Sequence, residues 1–138
     1  MKNTLLLLLL VFSTLSFAQK TEKENIKCLR ITQKKCVKKT GDQMLLKEVL
    51  SDSRCPEGVT CIWAGEIQVL VSVYQNRKFI LEEKIIISPN HNQENMDWFS
   101  KYLPSNKKKI KSIDVFPYPK KDIEINPKDY YIKIGYAK

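Results

Sequence analysis

Four cysteines carry the most reactive side chains in this 138-residue sequence: Cys28, Cys36, Cys55 and Cys61. Residues 52–65, "DSRCPEGVTCIWAG", hold two of them around Pro56 and Gly58, with Trp63 close behind. Thiols at such spacing can ligate a metal, cycle between redox states or form a structural staple. Structural zinc sites place two to four residues between paired ligands. Here the gaps are seven and five residues. Dithiol redox sites use C-x-x-C, commonly beside a βαβ unit, and the sequence contains no such pair. A staple remains. Four cysteines allow three pairings. Closeness along the chain selects Cys28–Cys36 and Cys55–Cys61. Closing the seven-residue ring at Cys55–Cys61 stabilises by about 2 kcal/mol in the chain-entropy account. Asp52 and Arg54 flank this ring and read as a local turn cap and a surface ion pair. Trp63 is expected to pack on the disulfide, because large aromatics usually bury their area in the fold. It and Arg54 are also kept as candidate binding residues.

Other catalytic groups are sparse. The single histidine, His91, lies in "SPNHNQEN", a polar stretch that reads as a solvated loop. No G-x-S-x-G elbow and no H-E-x-x-H pair occurs. Four glycines do not build a phosphate cradle. Glu82 and Glu83 are adjacent, and on a strand they point to opposite faces, so they cannot act as paired carboxylates. The expectation is a protein that is not an enzyme, with no catalytic residue, no metal and no cofactor.

The N-terminus reads as an export signal. Lys2 precedes an apolar run over residues 5–12, and Ser16-Phe17-Ala18 places small residues where a signal peptidase reads. Residues 1–18 are therefore expected to be a signal peptide, and residues 19–138 one disulfide-stapled β domain in the periplasm or outside the cell. Export also explains the cysteines, since disulfides persist in oxidising compartments. Removing eighteen residues and one lysine from 138 residues at net +9 leaves 120 residues at +8. No segment of that mature chain is apolar for the length of about 20 residues that a spanning helix needs.

The elements that must carry these residues follow from periodicity. Residues 19–27 are polar and read as a loose arm. Short apolar runs then alternate with turn residues, the pattern of a small antiparallel β-sandwich. A run over 44–50 is followed by the clearest strand, 66–74, where Ile67, Val69, Val71 and Val73 share one face. "QNRK" turns it into a strand over 79–87, making a hairpin. Residues 92–103 interrupt the rhythm. Met96, Phe99 and Leu103 fall at helical spacing before Pro104, which predicts a short helix or structured loop. Strands return at 110–116 and 130–136. In the last, Tyr130, Ile132, Ile134 and Tyr136 share a face.

"DSRCPEGVTCIWAGEIQVLV" resembles the signature of a family of small exported bacterial proteins and lipoproteins, in which D-S-R-C-P is followed by C-[VI]-W-A-G and a strand. "SIDVFPYPKKDIEINPKDYYIKI" is similar to that family's C-terminal pattern, where P-Y-P and then D-Y precede the last strand. The resemblance covers roughly residues 44–134. It implies a small β-sandwich and supplies no active site.

The remaining features point to binding. Lysines cluster at 34, 35, 38 and 39, at 107–109 and 111, and at 120 and 121. Such lysines protect strand edges and keep a protein soluble, and they also attract anionic envelope surfaces. No nucleic-acid-binding motif accompanies them. Trp98 and Tyr102, four apart, share a helical face just before Lys107, Lys108 and Lys109. They form a candidate site for an anionic envelope component. The expected function is a non-catalytic, envelope-associated binding module whose partner is an unknown protein or such a component. One alternative is an inhibitor of a hydrolase or peptidase that presents the braced loop 54–61, since a rigid loop loses little ordering entropy on binding. A lysozyme target is disfavoured, because a chain at +8 repels a basic enzyme. A further alternative is an enzyme or metal-binding protein.

Overall fold

The computed structural model describes residues 25–33 and 39–137. The expected signal peptide and Cys36 lie outside these residues. Among the described residues, six strands form two three-stranded antiparallel sheets. Strands β1 (Ile26–Thr32), β5 (Ile110–Phe116) and β6 (Tyr131–Ala137) make the first, in the order β1-β6-β5. Strands β2 (Asp42–Asp52), β3 (Ile67–Gln75) and β4 (Lys78–Ile87) make the second, in that order. An α-helix, α1 (Asn92–Tyr102), flanked by two short 3-10 turns, lies between β4 and β5. This is the small all-β architecture that the alternating runs imply.

The core forms where the two sheets face each other. Ile67, Val69, Val71 and Val73 of β3 are essentially fully buried and meet Ile31, Ile113, Val115, Ile132 and Ile134 from the other sheet. Phe99 and Leu103 of the α1 region complete the same cluster, with Met96 packed against it. The helix ends at Tyr102, and the next residue, Leu103, has an extended backbone (ψ 146°). Pro104 accounts for this, because a residue before proline is pushed out of the helical region. Asn95 is buried too, and its side-chain amide donates to the Ile86 carbonyl at 2.8 Å. The helix thereby satisfies a backbone group of β4.

Strand β1 departs from the sequence reading. Ile26 and Lys27 belong to it rather than to a loose arm. Only Ile31 of its seven residues is buried, so edge position rather than alternation defines it. The β3–β4 hairpin turns on Asn76 (φ 49°) and Arg77 (φ 67°), a two-residue turn with both central residues left-handed. Asn76 also ties the turn to the start of β2. Its N–H donates to the Gly41 carbonyl at 3.1 Å, and its side-chain oxygen accepts from the Gly41 N–H at 2.8 Å.

Candidate functional site

The connection between β2 and β3 is built as a braced projection. Its stem continues the sheet, with Ser53 N–H donating to the Glu66 carbonyl at 2.9 Å and Cys55 N–H to Ala64 at 3.0 Å. Beyond the stem, the Val59 N–H donates to Pro56 at 3.2 Å, closing a tight turn in which Gly58 has φ 79°. Cys55 and Cys61 are joined as a disulfide. Gly65 lets the stem close: its φ is 75°, and a Cβ there would lie 2.0 Å from the Ser53 carbonyl oxygen. Only glycine satisfies both conditions.

Arg54 locks the base of this projection. Its guanidinium donates to both Asp52 carboxylate oxygens, at 2.8 and 2.6 Å, and to the carbonyls of Val115 and Pro117. The Tyr118 ring lies 4.8 Å from the guanidinium carbon. Tyr130 donates its hydroxyl to Asp52 at 3.1 Å. The pair is therefore not the surface ion pair that the sequence suggests. The Arg54 and Asp52 side chains are only 8% and 12% exposed, because the segment leaving β5 folds over them. Burial alone would raise the Asp52 carboxyl. The hydrogen bonds and charge of Arg54, helped by the Tyr130 hydroxyl, overcome it and hold the group below the usual carboxylate range. Burial and the neighbouring Asp52 charge push the Tyr130 hydroxyl up.

A second loop, residues 117–123, is fastened alongside. Glu57 N–H donates to the Pro119 carbonyl at 2.9 Å, and Lys120 lies 4.0 Å from the Glu57 carboxylate. The two loops together hold large apolar side chains in water. Ile62 is 105% exposed, Trp63 62%, Ile123 61%, Val59 40% and Tyr118 38%. Trp63 thus departs from the expectation that it buries itself on the disulfide. The stem carries it and Ile62 outward, past the ring, with no core beneath them. Sequence reasoning also missed Ile62, Tyr118 and Ile123. The available signal was an apolar pair, Ile62-Trp63, placed immediately outside a disulfide ring.

The other candidate residues lie elsewhere. Trp98 and Tyr102 do meet, with ring centroids 5.0 Å apart, and both pack against the core. The Trp98 indole N–H donates to the Glu83 carboxylate at 2.6 Å, so its polar edge faces an acid rather than a lysine. Lys107 stands over the Tyr136 ring at 5.8 Å, and Lys108 and Lys109 are exposed. Cys28 is an exposed free thiol on β1, while its expected partner Cys36 lies outside the described residues. Glu82 and Glu83 point apart as expected: Glu82 accepts from Ser72 and Lys47, and Glu83 from Trp98.

Two further places have the form of a site. Ser88 Oγ and His91 Nδ1 are 2.8 Å apart, three residues from each other in a single turn. Among the described residues no carboxylate hydrogen-bonds the other ring nitrogen, so the pair reads as a local turn contact. A cleft of about 310 Å³ opens between β5 and the start of α1, bordered by Arg54, Ser88 and Asn95. Arg54, Ser88 and Asn95 already bond within the fold, and Asn92, Ser112 and Asp114 add further polar groups to the wall. Among the described residues, no group of three or more His, Cys, Asp or Glu could hold a metal, and no helix is long and apolar enough to cross a membrane. Compared with protein-family models, with curated proteins and with solved structures, the chain matches none.

Proposed function

We propose that this protein is a non-catalytic, exported binding module of the cell envelope, and that it engages its partner through the apolar tip of the braced loop. One observation carries the reading. Ile62 and Trp63 stand in water on a loop closed by a disulfide, pinned by Arg54 and permitted by Gly65. Exposed apolar surface of this kind marks interaction sites. A tip held in one conformation before binding loses little further freedom when it binds. The leader-like N-terminus and the disulfide fit export.

The inhibitor alternative draws on the same loop. Arg54 is sealed in its ion pair, so an inhibitor would have to present Val59, Ile62 and Trp63 instead of Arg54. Site-specific photocrosslinking in the native envelope tests the proposal. A crosslinker at position 62 is expected to give discrete adducts, and one at the exposed position 84 on β4 none. Equal labelling from both positions would remove the tip from the account. An adduct to a hydrolase would favour the inhibitor reading.

A further inference from the structure

We infer that the Ile62–Trp63 tip inserts into the boundary between headgroups and acyl chains of a phospholipid bilayer. The inference rests on the binding reading above and names the partner. The first ground is shape. The apolar groups sit on two loops joined through Glu57 and Pro119, with Ile62 105% and Trp63 62% exposed, while Tyr118 borders the cleft beside β5. A bilayer accepts a convex apolar tip without a matching pocket. The second ground is extent. Val59, Ile62, Trp63, Tyr118 and Ile123 are the exposed apolar side chains of the two loops, and shallow insertion at a lipid boundary needs only a small apolar group of this kind among polar neighbours. The third ground is chemistry. Tryptophan favours the headgroup level, where its ring and its N–H both find partners. Lys120 and Lys121 stand exposed in the adjoining loop, within the same segment that carries Tyr118 and Ile123.

Charge refines the inference. Glu57, Asp122 and Glu124 outnumber Lys120 and Lys121, so these five groups sum to −1 although the chain as a whole is at +9. Apolar insertion, rather than attraction to anionic lipid, must then hold the protein at the surface. The overall charge assists only its approach. Binding should therefore occur on neutral vesicles and respond weakly to salt, unlike adsorption through a lysine patch.

The test uses purified protein with vesicles of phosphatidylcholine, and of phosphatidylcholine mixed equally with phosphatidylglycerol. The protein is expected to float with both. In a Trp98→Phe background, Trp63 emission should shift to shorter wavelength and be quenched by lipids brominated near the headgroup. Ile62→Asp and Trp63→Ala should each weaken flotation by about tenfold. Their melting temperatures should stay that of the wild type, because neither side chain is in the core. The flotation arm needs no fluorescent reporter, so it decides even where Trp98→Phe disturbs the fold. Absence of flotation with both vesicles overturns the inference. So does binding confined to the anionic vesicles, abolished by salt and indifferent to Ile62→Asp. Failure here, together with a protein adduct at position 62, would leave the tip as a binding site for a protein. Failure here with no adduct would remove the tip altogether.

Discussion

Arg54 illustrates how one side chain can organise a loop without being available to a ligand. It closes five contacts, to Asp52, Val115, Pro117 and the Tyr118 ring, and leaves almost no surface. Arg54→Ala would strand a largely buried Asp52 carboxylate and release the 117–123 loop. A loss of about 3 kcal/mol is expected in urea unfolding. The same pair sets an acid response. Because the folded-state acidity of Asp52 is held below its unfolded value, its contribution is present above about pH 4 and is lost as pH falls through the folded value. The stability difference between wild type and Asp52→Asn should therefore be largest near neutrality and shrink below about pH 4. Thermal melts of both proteins across that range would show it. A difference constant with pH would mean that the ion pair adds no stability. Gly65 is the other decisive residue. Gly65→Ala would drive a methyl into the Ser53 carbonyl at 2.0 Å, so the stem must open and the tip must move. Faster hydrogen exchange at the Ser53 and Cys55 amides, which bond Glu66 and Ala64 across the stem, would report that opening.

At the scale of elements, what the sequence reveals depends on how local the cause is. Strand β3 was legible because Ile67 and alternate valines, Val69, Val71 and Val73, face the core, although Ser72 on the opposite face is buried as well. Helix α1 was legible from Met96, Phe99, Leu103 and the proline that follows. Strand β1 was not, since an edge strand with one buried residue shows no period. The Arg54 clasp was not, because its carbonyl partners lie 61 and 63 residues away. The outward face of Ile62 and Trp63 was hidden by the ordinary rule that apolar residues go inside. The β3–β4 turn shows a smaller local conflict. Arg77 adopts φ 67°, a conformation that disfavours any side chain with a Cβ. Arg77→Gly should relieve it and raise stability by about 0.5–1 kcal/mol, net of the entropy that glycine loses on folding. A shift of the urea midpoint to higher concentration would confirm this, and a shift to lower would show that the arginine makes a compensating contact.

For the whole molecule, a single core joins the two sheets, and both ends of the β2–β3 connection are anchored to it through β3 and β5. Val69→Asp would bury a charge where exposure is 0% and should abolish the cooperative thermal transition. Trp98→Ala should also lower stability, because that ring packs on the core and its N–H holds Glu83. Substitutions at the tip should not. That contrast separates scaffold from binding surface, and it depends on the tip being rigid in the free protein. The direct measurement is ¹⁵N relaxation of the Ile62 and Trp63 amides in the oxidised protein. Order parameters of about 0.85, equal to those of β3, are the predicted result, and values under about 0.6 would contradict the account by showing a loosely tethered loop.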